Sequence, residues 1–456
     1  MSDKTRKYDP DKDITFLCEE SRKNNHINIE DFKRYSVKRG LRNDDGSGVV
    51  AGLSKICNVH GYVIDEGEKA PVEGKLIYRG MDVEDIVNAC VTENRFGYEE
   101  AAWLLLYGKL PTEHQLKVFG RSLSRQREFP PTFFDDIIMK APSRDIMNTL
   151  QRATLALYSY DENPDDLSLE NTMRQSMSLI AKMPLIMVAA YQVRRRMFEH
   201  KSMYFHHPRP ELTIAENILR TMRSDKQFSD EEAKMLDLCL VLHAEHGGGN
   251  NSTFATRVVT STATDTYSAI SAGIGSLKGP RHGGANAKVL EQMEYIKNGV
   301  SNWQDETEVS RFIEKMLNKE AGDLSGLVYG MGHAVYTLSD PRANLLKQYA
   351  EKLVVGTEFE AEYRLLELVE KLTPAIFCKK KGIDAPLCAN VDLYSGLVYT
   401  MLRIPPELMT PMFAVARTVG WCAHRIEELL TTGGKIIRPA YKVTSPKSAY
   451  IPLDKR

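Results

Sequence analysis

Neither sign of charge prevails in this chain: 60 lysines and arginines meet 61 aspartates and glutamates. A polyanion gains no long-range attraction from that balance, so a nucleic-acid partner is not expected. The seven cysteines, Cys18, Cys57, Cys90, Cys239, Cys378, Cys388 and Cys422, are scattered, odd in number and form no C-x-x-C pair. That pattern argues against a disulfide framework and a cysteine-rich zinc site, and the thiols read as reduced. The opening MSDKTRKYDPDKDITF has no apolar core of the kind a secretion signal needs. No uninterrupted apolar run elsewhere is long enough to span a bilayer, so a cytoplasmic protein with no membrane role is expected. What the chain does have is core material, 42% hydrophobic in 456 residues, enough for two domains.

Residues 1–48 are charged and close on the turn-forming Asn43-Asp44-Asp45-Gly46-Ser47-Gly48, which marks an N-terminal arm. From Ile56 the segment ICNVHGYVIDEGEKAPVEGKLIYRG is rich in Val, Ile and Tyr with Gly and Pro punctuation, and reads as a hairpin. Almost everything beyond it reads as helix. Tyr98 to Tyr107 places Ala101, Leu104 and Leu105 on one face and stops at Gly108, with Pro111 just past the end. Thr213 and Glu216 have capping-box spacing at the head of a helix through Ile218, Leu219 and Met222. Asp265 to Leu277 is loaded with Ser, Ala and Gly, weak helix formers that let backbones approach closely, so it reads as a tightly packed central helix. An all-α architecture with a minor hairpin follows.

Four stretches concentrate polar chemistry in this apolar helical background: HAEHGGGNNS, GPRHGGAN, YGMGHAVYTLSDPR and CANVDLYSG. Each sets a titratable residue beside small ones, which lets a ligand or another backbone come close. His243 and His246, three apart, could seat zinc on a helix, but the spacing is not H-E-x-x-H, and a hydrogen-bonded core histidine is the more frequent outcome for such a pair. His282 lies between a helix stop and a helix start. Exposed amides there lower an imidazole pKa and favour a neutral ring that donates to an enolate; the alternative is a loop histidine capping a turn. His333 follows Gly330-Met331-Gly332, whose amides could cradle an anion. Asp340-Pro341-Arg342 reads either as a helix start with Pro in its first position or as a carboxylate clamp through Arg342. Asp392 alone would be read as a helix cap. Arg417 sits among apolar residues and therefore needs a carboxylate partner.

In this order the four motifs resemble the citrate synthase family. The resemblance runs from GKLIYRGMDVEDIV at 74–87 through EEAAWLLLYGKLP and AENILRTMR to GKIIRPAY at 434–441, and leaves only the arm outside. It implies an almost wholly helical homodimer or larger assembly. A large domain (49–284 and 401–456) and a smaller one (285–400) would close over the substrates. The implied reaction condenses acetyl-CoA with oxaloacetate and water to citrate and CoA, with neither metal nor cofactor. Asp392 matches the base that takes the methyl proton, His282 the histidine that bonds the thioester carbonyl, and His333 the one that polarises the ketone. His246, Arg342 and Arg417 match oxaloacetate ligands, and Arg438 a further arginine supplied across the dimer. Asn250, Ser252 and Asn390 fall where the family places the hydrogen bonds behind these groups.

The chain also departs from the family pattern. Glu245 stands where an aspartate is usual, and Ala389 replaces a common proline. Thr337 occupies a position where many relatives carry a basic residue for the CoA phosphates. The CoA contacts expected here are therefore Gly330, Met331 and Gly332, with Lys379, Lys380 and Lys381 supplying charge. Three other readings remain: 2-methylcitrate synthase, with room for a propionyl group; a catalytically silent acyl-CoA or dicarboxylate sensor; and a zinc hydrolase on His243 and His246.

Overall fold

The computed structural model describes residues 10–66, 68–383, 386–431 and 433–456; the first nine residues of the expected arm lie outside them. By contact the chain forms two units, one from the described part of Met1–Val50 together with Arg438–Arg456, the other Ala51–Ile437. The tail 438–456, given to the large domain in the sequence reading, thus groups with the arm. In that first unit Arg42 and Gly48 form an antiparallel bridge, and the Lys442 ammonium lies 5.5 Å from the Tyr35 ring centre.

The second unit is helical apart from one small sheet. Its strands are β1 (Cys57–Asp65), β2 (Glu68–Tyr78) and β3 (Met81–Asp82), antiparallel in the order β1-β2-β3. The expected hairpin is therefore present, with a short third strand added. Along β2, Gly74, Leu76 and Tyr78 face inward and the residues between them are exposed or half-buried, the alternation of a one-sided sheet. At Gly74 a Cβ would lie 2.0 Å from the Ser339 carbonyl oxygen. Only glycine lets the strand press so closely on the loop that follows His333.

Helix ends follow local chemistry. Tyr98–Tyr107 closes on Gly108 at φ 80°, and Ile214–Met222 opens on the Thr213–Glu216 capping box. Thr266–Lys278 starts from an Asp265 cap. A Cβ at its Gly273 would lie 2.6 Å from Thr256 Oγ1 and 3.2 Å from the Trp421 ring, so the small residues do serve close packing. The centre of the unit is the helix Met409–Leu430, buried over nearly its whole length. It packs against Leu169–Phe198, Asn251–Thr260, Thr266–Lys278 and Asp230–His243. Leu169–Phe198 is long and apolar enough to cross a membrane by length and composition, but 83% of its most apolar stretch is buried in the protein. It also carries Lys182, whose ammonium bonds the Gln126 carbonyl at 2.7 Å.

Candidate active site

The first motif is a turn between two helices. Asp230–His243 ends, the chain reverses at Gly247 (φ 85°), and Asn251–Thr260 begins. Tyr78, at the end of β2, pins this turn: its hydroxyl reaches the carbonyls of Val241 (2.9 Å) and Glu245 (3.1 Å) and the Glu245 amide (3.3 Å). His246 is buried, its Nε2 has no hydrogen-bond partner, and its ring meets His333 at 5.1 Å and Tyr336 at 5.7 Å between centres. Burial pushes it far below the ordinary imidazole range, and Arg342, His333 and Arg417 push the same way, so the ring is neutral.

Two loops meet to place His333 and Asp392. The Gly332 amide donates to Cys388 O (2.7 Å), the Asn390 amide to Gly330 O (2.8 Å), and Asn390 Nδ2 to Gly332 O (2.8 Å). His333 Nδ1 accepts the amides of Val335 and Tyr336, each at 3.1 Å. A nitrogen that accepts carries no proton, so the ring proton sits on Nε2. Tyr336 stacks on the same ring at 4.7 Å. Asp340 caps the helix Pro341–Val354 and holds the Arg342 guanidinium through Nε (3.0 Å) and Nη2 (2.7 Å). Its Oδ2 also takes the Val391 amide at 3.3 Å. Asn390, not Asp392, caps the helix Val391–Met401, and Asp392 stands in the first turn. Burial pushes the Asp392 carboxyl up to about 6, against the pull of Arg342 and with a push from Asp340.

His282 follows the end of Thr266–Lys278, and its Nε2 accepts the Ser252 amide at 3.3 Å, in the first turn of Asn251–Thr260. That amide is one of the donors a helix start leaves unpaired. The bond puts the His282 proton on Nδ1, while burial and then Arg417 push its pKa down to about 4, against its own backbone. Behind it, Ser252 Oγ donates to Asn250 Oδ1 (2.9 Å) and accepts from Trp421 Nε1 (3.1 Å). Arg417 is fully buried. Its Nε bonds the His243 carbonyl at 2.7 Å, its guanidinium lies over the Phe413 ring at 4.8 Å, and neither Nη has a partner. The carboxylate that burial demands is thus not supplied as an ion pair among the described residues.

The rings of His246 and His333 are in contact, the charges of Arg342 and Arg417 both act on His246, and Asp392 lies within the field of Arg342 and His282 within that of Arg417. The remaining expected residues lie elsewhere. The Met331 and Gly332 amides go to Val328 and Cys388, so the fold uses the donors that the sequence reading offered to an anion. Lys379, Lys380 and Lys381 are exposed at the end of Glu360–Lys381; Lys380 bonds Leu317 O, and Lys381 lies 6.0 Å from the Phe377 ring centre. Arg438 is exposed and belongs to the other unit. Sequence reasoning passed over Tyr336 and Tyr78, and read Asp340 only as part of the helix start that the structure shows, not as the clamp on Arg342. The signals were an aromatic three residues after His333 and an aspartate before Pro341; Tyr78 offered none. Among the described residues, no three His, Cys, Asp or Glu side chains gather as a zinc site requires.

A carboxyl with a raised pKa, two imidazoles of fixed tautomer and a buried, unmatched guanidinium suit proton abstraction beside a carbonyl, next to a bound carboxylate. A family model described as citrate synthase, C-terminal domain, matches residues 45–440. The chain is 33% identical to the citrate synthase of Synechocystis over 90% of its own length and 93% of that protein. With citrate synthase 2 of Bacillus subtilis it shares 32% identity, over 92% of this chain and 100% of that one. The crystal structure of citrate synthase from Pyrobaculum aerophilum superposes with a TM-score of 0.72 at 29% identity, covering 90% of this chain and 94% of that one. The ternary complex of Thermoplasma acidophilum citrate synthase with carboxymethyl coenzyme A and oxaloacetate gives 0.74 at 26% identity, covering 92% and 99%.

Proposed function

Given that the chain belongs to the citrate synthase family of acyltransferases, we propose that it condenses acetyl-CoA with oxaloacetate and water to citrate and CoA, without a metal. The observation that carries this reading is Arg417: a buried fork without a partner among the described residues, whose charge acts on His246 together with that of Arg342, matches a substrate carboxylate. Arg342 grips through Nη1, the nitrogen not committed to Asp340. The partner subunit's Arg438 completes the set, which makes the working form at least a dimer.

Asp392 removes a methyl proton from the acetyl thioester. The electron pair moves onto the thioester oxygen, held by a hydrogen bond from His282 Nδ1–H, and as the enolate carbon attacks the oxaloacetate ketone, the ketone oxygen takes the proton of His333 Nε2. Water then hydrolyses the citryl thioester and releases CoA. A thioester methyl is too weak an acid for a carboxylate alone, so base and donor act together. Lys379, Lys380 and Lys381 supply positive charge for the CoA phosphates. Residues 285–400 close on the rest of the enzyme around bound oxaloacetate.

Steady-state assays with oxaloacetate and either acetyl-CoA or propionyl-CoA, following thiol release, test the proposal. Preference for acetyl-CoA is the expected result. Preference for propionyl-CoA would make the enzyme a 2-methylcitrate synthase, and binding without turnover would make the protein a sensor.

A further inference from the structure

Glu245, between the two histidines of the first motif, has no task in the reaction above. It is fully buried, Oε1 accepts from His424 Nε2 at 3.0 Å, and Oε2 has no hydrogen-bond partner among the described residues. His424 Nδ1 lies 2.8 Å from Arg257 Nη1. Arginine only donates, so Nδ1 accepts and the ring proton belongs on Nε2, toward Glu245. Arg257 is itself fixed by Glu427 and Glu428, each at 2.9 Å. A fixed chain thus runs from two acidic residues through a guanidinium and an imidazole to one buried carboxylate.

Arg417, Gly420 and His424 recur at helical spacing on one face of Met409–Leu430. A Cβ at Gly420 would lie 2.1 Å from Glu245 Oε2 and 2.5 Å from the Ala244 carbonyl. The missing side chain lets the carboxylate lie against the helix, one turn from Arg417. Burial works against the charge on Arg417, and Glu245 is foremost among the groups that support it. Yet the two form no ion pair, and the Arg417 fork stays without a partner among the described residues.

We propose that Glu245 is a positioning residue that balances the charge of Arg417 without occupying it, because His424 holds the carboxylate away. A carboxylate free to turn would pair with the guanidinium and compete with the substrate's own carboxylate. The anchor therefore sets dicarboxylate affinity. This rests on the proposed function for the identity of the dicarboxylate.

The test is calorimetric titration of oxaloacetate into wild-type protein and variants, alongside steady-state kinetics. His424→Phe keeps a ring of similar volume and removes the anchor; it should raise the oxaloacetate Kd and KM by about tenfold or more, the scale of one charge-assisted pair, with kcat little changed. Adding Glu245→Gln to His424→Phe removes the competitor and should bring Kd back to within about threefold of wild type. A double variant as weak as His424→Phe alone, or an unchanged Kd in His424→Phe, overturns the proposal. Should His424→Phe fail to fold, Glu245→Gln alone decides: affinity equal to or tighter than wild type supports the proposal, and weaker binding overturns it. Wild-type binding without condensation would overturn the proposed reaction and leave this assignment standing. No wild-type binding would overturn both.

Discussion

Burial pushes Asp392 up to about 6 and His282 down to about 4, so over the neutral range the proposed base is ionised and the proposed donor neutral. The acid limb of kcat/KM should therefore turn near pH 6 and belong to Asp392, because His282 has already lost its extra proton. Replacing Asp392 by Asn should lower kcat by about 10² to 10⁴, the usual worth of a positioned base, with oxaloacetate binding retained in calorimetry. The same shift has a cost in stability. A folded pKa above the unfolded value means that the native state holds a proton the unfolded chain has released. Stability from this group is complete below the ordinary aspartate range and lost as pH rises through about 6. Urea unfolding should show this loss between about pH 4 and 6.5 in the wild type, and a smaller one in Asp392→Asn. An equal loss in both would assign it to other groups.

At the scale of elements, the small sheet of a helical protein holds the site loops. Tyr78 fixes the turn of His246, and Gly74 seats the loop after His333. Tyr78→Phe leaves buried backbone groups of Glu245 without their partner. It should cost about 1 to 3 kcal/mol in urea unfolding and raise KM for oxaloacetate more than it lowers kcat. Helix limits such as Gly108, Thr213 and Asp265 were legible because capping is decided within a few residues. His246, His282, His333 and Asp392, the residues of the proposed site, stood out in the sequence as motifs, each beside small residues. Contacts across the chain were not. Gly74 meets Ser339 at a separation of 265 residues, and His424 meets Glu245 across 179. Gly330-Met331-Gly332 looked open for the same reason: its amide acceptor at Cys388 lies on a different loop.

On the scale of the whole molecule, the assignment of Arg438 to the neighbouring site predicts complementation. Inactive Arg438→Ala and inactive Asp392→Asn proteins, mixed under conditions of subunit exchange, should recover activity, since one hybrid site inherits both intact residues. No recovery after demonstrated exchange would return Arg438 to its own subunit or to no role. Closure predicts linkage: a CoA analogue should bind more tightly with saturating oxaloacetate than without, by the same factor in either order of addition. Equal affinities in calorimetry would count against closure driven by substrate.

Asp340 joins two tasks that a designer would keep apart. One buried carboxylate both clamps Arg342 and receives the amide that opens the helix of Asp392. On the proposed function, the grip on one substrate and the aim of the base toward the other share a single fixed point. Acyl preference in this lineage is then hard to retune by shifting the base, because any shift is transmitted to the dicarboxylate clamp. Directed evolution for propionyl-CoA should therefore leave Asp340 untouched and place its substitutions away from Arg342 and the start of the Asp392 helix.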